Sequence, residues 1–291
     1  MPEHYIGRFA PSPTGPLHFG SLVCALGSYF DAIAHGGHWL VRMEDLDPPR
    51  EMPGAAQRIL NSLNAHGLHG HGAIVWQSQR HHLYHAALEQ LQARDLVYRC
   101  HCTREQIRRA GGHQRENCVP RSDGSPFALR FHCAGASETF TDLWHGEQTQ
   151  RIAEDPILKR KDGLYAYQLA VVVDDIQQGV TCIVRGSDLL DCTGVQRQLF
   201  AALGASAPAF GHLPLVMNEA GQKLSKQNHA TALDDSAPSL NLFRALHFLG
   251  FRPHPDLVEE TPGQILSWAS ARWQRRQVDR RNRLLEQPPS R

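Results

Sequence analysis

Long apolar runs are missing from the sequence. No stretch approaches the roughly 20 apolar residues that a membrane-spanning helix needs. The N-terminus, Met1-Pro2-Glu3-His4, also lacks the basic and apolar regions of a signal peptide. These absences argue against a membrane protein and against secretion, so we expect a cytoplasmic protein with no membrane association.

A surplus of charge of one sign is missing too. The formal net charge is +1, whereas nucleic-acid-binding domains usually carry a visible basic excess. Arginines are nevertheless bunched between residues 99 and 121 and between residues 272 and 283. Contacts with RNA phosphates would account for both clusters, and a solvated arginine-rich helix face is the alternative for the second cluster taken alone.

The cysteines do not form the even, regularly spaced set that is typical of a disulfide-bonded protein. The seven cysteines form an odd and unevenly spread set, which in a reducing compartment predicts free thiols or metal ligands rather than a disulfide framework. Only Cys100, Cys102 and Cys118 are clustered. Because Zn²⁺ prefers four nitrogen or sulfur ligands in a tetrahedron, this set is one ligand short of a zinc site.

The hydrophobic pattern predicts an α/β protein with a Rossmann-like parallel sheet. With 41% hydrophobic residues in 291 positions, the chain can bury a full core. Strand, helix and strand alternate in the first fifty residues, as in a parallel crossover. The predicted strands are 5–10, 39–43, 169–173 and 180–184, and the predicted helices are 21–34, 55–69, 80–97 and 188–203, followed by a helical region from 236. Such sheets bind ligands at the carboxyl ends of their strands.

A Pro/Gly-rich loop from residue 10 to residue 21 links the first predicted strand to the first predicted helix. Backbone N–H groups and the helix dipole at such a position attract anions, of which phosphate is the natural one. Gly15 and Gly20 let a ligand come close to the backbone, and His18 offers a donor for charge that develops on phosphate oxygens. Ordinary turn chemistry would explain most of these residues when the loop is considered alone.

A second polar loop, Lys223-Leu224-Ser225-Lys226-Gln227, carries two lysines around a serine. Its cations could stabilise negative charge on the α-phosphate and on the leaving pyrophosphate of a triphosphate. A short lysine pair is otherwise an everyday surface feature. This loop therefore gains weight only in combination with the first.

Together the two loops resemble the signatures of class I aminoacyl-tRNA synthetases. The stretch from Arg8 to Gly20 is similar to the first signature of their glutamyl branch, with His18-Phe19-Gly20-Ser21 at the HIGH tetrapeptide, and residues 223–227 are similar to KMSKS. The resemblance implies catalytic roles for His18 and Lys226. It also implies an ATP site, with Mg²⁺ assisting pyrophosphate release, formed by Pro11, His18, Gly20, Ser21, Lys223, Ser225 and Lys226.

The same resemblance implies a pocket for L-glutamate. It assigns substrate contacts to Arg8 and Ser12, the amino group to Glu44, and the rest of the pocket to Tyr167 and Arg185, with Arg185 reading the side-chain carboxylate. These residue types suit a ligand with two carboxylates and one ammonium. Arg8 or Glu44 could instead form a plain ion pair, and Tyr167 could belong to the core.

The resemblance also bears on the cysteine cluster. The resembling subfamily binds zinc with Cys-x-Cys, a tyrosine and a last cysteine, and the tyrosine position here falls on Gln114, a poor ligand. His113 lies beside it, and His101 lies between the first two cysteines. The fourth ligand is open between Gln114, His113 and another group, and three free thiols in a degenerate site are the alternative to zinc.

A full glutamyl-tRNA synthetase needs a further anticodon-binding domain, for which this length leaves no room. The resemblance is closest to its truncated paralogues, which form glutamyl-adenylate without tRNA and then esterify queuosine in the anticodon of tRNA(Asp). A truncated enzyme that charges a tRNA 3′ end and a non-catalytic RNA-binding paralogue are the alternatives. We expect residues 1–98 and 161–235 to form two halves of the catalytic domain, 99–160 an inserted subdomain, and 236–291 a helical C-terminal part.

Overall fold

The computed structural model describes residues 4–119, 124–219, 221–224 and 231–284. In its N-terminal part, β1 (Ile6–Phe9) leads into α1 (Phe19–Ala34), and β2 (His38–Met43) follows. β1 and β2 pair in parallel, with Arg8 opposite Leu40. This is the strand, helix and strand unit that the sequence predicts.

Two helices and a short strand extend this part. α2 spans Ala55–Ala65, β3 (Val75–Trp76) pairs in parallel with β2, and α3 spans His81–Ala93. Both helices confirm the prediction but end earlier than the periodicity suggests. The reason is local: Gly67 and Asp95 have φ values of +71° and +54°, and a left-handed residue ends a helix.

The described residues of the next segment, 97–119 and 124–159, form one short α-helix and five strands: β4 (Val97–Cys100), α4 (Arg104–Arg109), β5 (Ala128–Phe131), β6 (Ser137–Asp142), β7 (Gly146–Arg151) and β8 (Ile157–Lys159). β5 pairs antiparallel with β4 and with β8, so these three strands form a small separate sheet. β6 pairs antiparallel with β7.

After β8 follow α5 (Tyr167–Gln177), β9 (Cys182–Gly186), α6 (Thr193–Ala202) and β10 (Ala209–Leu213). We call the strands β1, β2 and β3 together with β9, β10, β6 and β7 the main sheet. β10 pairs in parallel with β9 and with β6, so part of the expected insertion contributes to this sheet, and the domain boundaries stay a prediction. The Thr181 N–H donates to the Ile6 carbonyl oxygen over 2.9 Å, which places β9 beside β1. This architecture confirms the predicted α/β fold class.

The prediction of a strand at 169–173 is wrong, because these residues form the middle of α5. Each of the five is at most 5% exposed. A helix that is buried on every side has no polar face and therefore no 3.6-residue period, and its run of valines imitates a buried strand.

The C-terminal region confirms the predicted helices. α7 (Pro238–Phe248) and α8 (Pro262–Ser270) pack against α1. The buried Asp31 carboxylate of α1 also accepts hydrogen bonds from Trp273 Nε1 over 3.0 Å and from Arg275 Nε over 2.8 Å. These contacts hold the segment after α8 against α1. Among the described helices, none combines the length and apolar character that crossing a bilayer requires.

Two further strands in the described residues, both very short, are, like β3 to β8 and β10, absent from the predicted strands. β11 (Val216–Met217) pairs in parallel with β12 (Arg283–Leu284). Next to this pair, Asn282 Oδ1 accepts hydrogen bonds from Leu215 N over 2.8 Å and from Ser187 Oγ over 3.3 Å. Residues 282–284 thus brace the segment that leads into the second lysine loop.

Candidate active site

The residues expected to bind glutamate come from neighbouring strands of the main sheet. Arg8 lies in β1, Glu44 directly follows β2, and Arg185 lies near the end of β9. Tyr167 is the first residue of α5, and its hydroxyl lies within electrostatic reach of Arg185, Glu44 and Arg8. The structure therefore brings these four side chains to the carboxyl edge of the sheet, where such folds bind ligands.

Arg8 is engaged in a buried ion pair. Its Nε donates to Asp175 Oδ1 over 3.1 Å and its Nη2 to Asp175 Oδ2 over 3.4 Å. Arg42, which is fully buried, lies 2.8 Å from the same carboxylate. Burial alone would raise the pKa of Asp175, but Arg42 and Arg8 outweigh it and hold that pKa below its usual range.

Glu44 has a different environment from Asp175. Its side chain is 7% exposed, and Arg42 Nη2 lies 3.5 Å from Oε1. Oε1 nevertheless accepts no hydrogen bond from the described residues. Burial raises the pKa of Glu44 to about 7, because desolvation outweighs the opposing charges of Arg42 and Arg8. A buried carboxylate oxygen without a donor is suited to a ligand that brings one, such as an ammonium group.

Arg185 is a buried cation among uncharged partners. Nη1 donates to Gln196 Oε1 over 2.7 Å, and Nη2 donates to the Leu189 carbonyl and Thr193 Oγ1, each over 3.0 Å. Nη1 also lies 3.5 Å from the Tyr167 hydroxyl oxygen. Because none of these partners is a carboxylate, the charge of the guanidinium is available to an anionic ligand. Tyr167 is 36% exposed and so is not a core residue.

His212 and Asp142 complete the surroundings of Arg185. Arg185 Nε donates to His212 Nε2 over 3.0 Å, and His212 Nδ1 lies 2.5 Å from Asp142 Oδ2. Both side chains are fully buried. Sequence reasoning missed them, together with Arg42 and Asp175, because no local motif marks a residue whose partner lies on another strand.

The first loop begins α1 as expected. His18 caps the helix, and its Nδ1 accepts a hydrogen bond from Ser21 N over 3.3 Å. The Pro11 carbonyl accepts a hydrogen bond from Glu44 N over 3.0 Å, so this loop lies against the glutamate side of the site. Ser12 is exposed in the same loop. The arrangement leaves the N-terminus of a long helix at the carboxyl edge of the sheet, as a phosphate site requires.

The described start of the second loop and a residue that follows it in the sequence both approach the first loop. Gly20 lies close to Leu224: a Cβ atom added to this glycine would be 3.7 Å from the Leu224 carbonyl oxygen. In addition, Leu233 N donates to the Leu17 carbonyl over 2.9 Å. Lys223 forms an ion pair with Asp188. Ser225 and Lys226 lie outside the described residues, so their expected roles stay predictions.

The clustered cysteines meet a histidine beside the small sheet, at the end of β4, where Cys100 lies. Ligand atoms of Cys100, Cys102, His113 and Cys118 all lie within 4.8 Å of one another. His113 Nε2 is 2.9 Å from Cys100 Sγ, and the Sγ atoms of Cys102 and Cys118 are 4.0 Å apart. Three sulfurs and one imidazole nitrogen are a donor set that suits zinc.

The other nitrogen of His113 is held from behind. Tyr98 donates its hydroxyl to Asp155 Oδ2 over 2.9 Å and lies 3.1 Å from His113 Nδ1. This arrangement places the proton of a neutral His113 on Nδ1 and leaves the Nε2 lone pair facing the sulfurs. Gln114 instead points to the Ala153 carbonyl, and His101 contacts Ser125. The structure therefore brings His113, not Gln114, to the cysteines.

Comparison with known proteins agrees with the fold and the motifs. Residues 6–259 match the family of class I tRNA synthetases (E and Q), catalytic domain. The chain is 49% identical over 278 residues to the glutamyl-Q tRNA(Asp) synthetase of Vibrio cholerae serotype O1, covering 94% of this chain and 91% of the relative. It is 50% identical over 273 residues to that of Idiomarina loihiensis, covering 92% of this chain and 96% of the relative.

A solved structure shows the same fold. The crystal structure of a glutamate tRNA ligase from Elizabethkingia meningosepticum, in complex with its amino acid, superposes with a TM-score of 0.81 at 24% identity. The match covers 98% of this chain and 67% of that chain. The chain is thus a ligase of the aminoacyl-tRNA synthetase type, and it belongs to the class I tRNA synthetases (E and Q), within the group of glutamyl-Q tRNA(Asp) synthetases.

Proposed function

We propose that this enzyme activates L-glutamate with ATP in the absence of tRNA and transfers glutamate to queuosine in the anticodon of tRNA(Asp). The observation that supports the first step is that one edge of the sheet presents both a buried carboxylate and a buried guanidinium group. Glu44 presents a buried oxygen that accepts no hydrogen bond from the part of the chain that the structure describes, and Arg185 presents a buried cation among neutral hydrogen-bond partners. Free glutamate supplies an ammonium and a carboxylate that meet both needs.

The proposed reaction has two steps. The α-carboxylate of glutamate attacks the α-phosphate of ATP, so a C–O–P linkage forms and pyrophosphate leaves. A hydroxyl of the cyclopentenediol of queuosine then attacks the acyl carbon, AMP leaves, and an ester forms. We assign the phosphates to His18 and to the N-terminus of α1, because His18 caps this helix and a helix N-terminus attracts anions, and we assign the leaving pyrophosphate to Lys223 and Lys226. Mg²⁺, when bound to ATP, neutralises phosphate charge.

ATP–pyrophosphate exchange tests the first step. We expect exchange with glutamate in the absence of tRNA, and no exchange with glutamine, which lacks the carboxylate for Arg185. Exchange driven by glutamine would overturn the pocket assignment. Absence of exchange with any amino acid would favour the non-catalytic RNA-binding alternative.

Transfer of labelled glutamate tests the second step. The relatives named as glutamyl-Q tRNA(Asp) synthetases support tRNA(Asp) as the acceptor. We expect the label on the anticodon fragment of nuclease-cut tRNA(Asp) that carries queuosine, and none on tRNA(Asp) that lacks it. Label at the 3′ end of a tRNA would instead identify the enzyme as a truncated glutamyl-tRNA synthetase.

We further propose that Cys100, Cys102, His113 and Cys118 bind zinc as a structural site. Four donors bonded to zinc at about 2.0–2.3 Å lie roughly 3.3–3.8 Å apart, and the ligand atoms here are already within 4.8 Å of one another. The Tyr98 hydroxyl fixes His113 in the tautomer that a metal ligand needs. A zinc ion would hold the turn after β4 against the segment around Cys118.

Two neighbouring substitutions separate the possible fourth ligands. We expect His113→Ala to lower the zinc content from about one ion per chain to well below half, because three thiolates leave the tetrahedron open. Gln114→Ala is expected to leave the zinc content unchanged, since this side chain points to Ala153. Atomic absorption on dialysed protein measures both. Loss of zinc in the Gln114 variant alone would contradict the assignment.

The pKa of Glu44 predicts how glutamate binding depends on pH. Below its value of about 7, Glu44 is neutral and does not attract the substrate ammonium; above it, the carboxylate does. Between pH 6 and pH 8 the ionised fraction changes about tenfold, so we expect KM for glutamate in the exchange reaction to fall by about tenfold as pH rises. Free glutamate does not change its own charge in this range.

Two variants check the origin of this pH dependence. Glu44→Gln is expected to raise KM for glutamate and to flatten its pH profile. Asp45→Asn is the matched control, because this carboxylate hydrogen-bonds to Ser78 instead, and its variant should keep the wild-type profile. A slope that persists in Glu44→Gln would assign the titration to another group.

A further inference from the structure

We infer that His212 and Asp142 are positioning residues for Arg185 that hold its guanidinium in place without neutralising it. The inference rests on the proposed binding of glutamate. It concerns the residues that determine how strongly Arg185 binds the side-chain carboxylate of glutamate. It concerns two residues that the motifs do not include and that contact each other across parallel strands β10 and β6.

The hydrogen bonds define which atom carries each proton. Arg185 Nε always carries a hydrogen, so His212 Nε2, at 3.0 Å, must offer its lone pair. The remaining imidazole proton then lies on Nδ1 and is donated to Asp142 Oδ2 over 2.5 Å. The second oxygen, Oδ1, accepts the N–H groups of Trp144 and His145, each over 3.0 Å. Each nitrogen and oxygen in this series of hydrogen bonds can act only as a donor or only as an acceptor. The orientation of the imidazole is therefore fixed.

The imidazole separates two opposite charges. A carboxylate in direct contact would neutralise Arg185 within the protein, as Asp175 does for Arg8 through two hydrogen bonds. Here the neutral ring of His212 lies between Asp142 and Arg185. The side chains of His212 and Asp142 are fully buried. The guanidinium is therefore oriented by a strong acceptor but keeps its positive charge for an incoming carboxylate.

Two substitutions of His212 each keep one of its two hydrogen bonds and remove the other. The oxygen of His212→Gln can reach the place of Nε2 and accept from Arg185. The amide of His212→Asn can occupy the place of Nδ1 and donate to Asp142, but it leaves Arg185 Nε without an acceptor. Loss of a hydrogen bond to a charged group costs about 1.5–3 kcal/mol. We therefore expect KM for glutamate to rise by at least about tenfold in His212→Asn and by about threefold or less in His212→Gln.

KM for ATP separates positioning from a general loss of structure. Both variants are expected to keep KM for ATP and kcat within about twofold of the wild-type values, because the hydrogen bonds lost lie on the glutamate side. His66→Asn serves as a control. His66 is also fully buried, and its ring bonds to the Ser62 carbonyl and to Asn241. This variant is expected to lower the melting temperature without changing KM for glutamate.

Asp142→Asn gives an independent test that keeps the shape of the side chain. Its amide can donate to Nδ1, which moves the imidazole proton to Nε2, where it opposes Arg185 Nε–H. We expect a rise in KM for glutamate comparable to that of His212→Asn. Failure of the wild-type enzyme to exchange glutamate would refute the proposed function itself. If the wild-type enzyme exchanges glutamate, and His212→Asn, His212→Gln and Asp142→Asn all have the wild-type KM for glutamate, this inference alone is overturned.

Discussion

Replacing Arg185 by glutamine is expected to lower kcat/KM for glutamate in ATP–pyrophosphate exchange by about a thousandfold. Removal of one partner of a buried charge pair costs about 4 kcal/mol, which corresponds to that factor. Arg185 is 5% exposed and contacts only neutral groups through its hydrogen bonds in the described part of the chain. Its loss would leave the side-chain carboxylate of glutamate desolvated and unpaired.

Arg197 offers a matched control for the loss of one positive charge. It lies on α6 close in sequence to Arg185, and its Nε donates to Glu138 Oε2 over 2.9 Å. Arg197→Gln is expected to change kcat/KM for glutamate by less than about threefold, in line with the small value of partly exposed ion pairs. A comparable loss in both variants would show that Arg185 acts through stability or long-range charge rather than by contact.

Replacing Arg42 by leucine is expected to lower the free energy of unfolding by about 3–5 kcal/mol. The Arg42 side chain is fully buried and lies near three carboxylates, 2.8 Å from Asp175, 3.5 Å from Glu44 and 3.9 Å from Asp174. Leucine can fill part of the volume but leaves these buried acids with less compensating charge. Urea titration followed by fluorescence measures the change.

The outcome at Arg42 is compared with that at Arg50. Arg50 also pairs with an aspartate, Asp47 at 2.6 Å, but its side chain is 69% exposed. Arg50→Leu is expected to leave the midpoint of unfolding nearly unchanged, because exposed ion pairs contribute little. If the Arg42 variant were as stable as wild type, the acids would have to be protonated or rearranged, and their assumed charges would be wrong.

The parts of the site that sequence predicts well are those whose chemistry is local. A strand, a loop and a helix start lie within the first 34 residues, so β1, His18 and α1 can be placed from spacing and composition. The glutamate pocket depends instead on the resemblance, because Arg8, Tyr167 and Arg185 meet only after the strands have assembled. No period or spacing relates residues that approach through a sheet.

The same limit explains what was missed. His212 and Asp142 are 70 positions apart and meet because β10 pairs with β6. His113 is distinguished from Gln114 by the direction of its ring, which the Tyr98 hydroxyl determines. The α5 helix was mistaken for a strand because burial on every side removes the polar positions from which a period is read. In each case tertiary contacts supply the deciding information.

The pairing of β11 with β12 has a consequence for the order of assembly. Arg283 follows every strand of the main sheet in the sequence and is synthesised after its partner Val216, and the N-terminal part of a chain can fold while the rest is still being made. During synthesis, the rest of the sheet can form while the base of the lysine loop still lacks its neighbour. The enzyme would then acquire an ordered place for glutamate before it acquires a fully supported place for ATP.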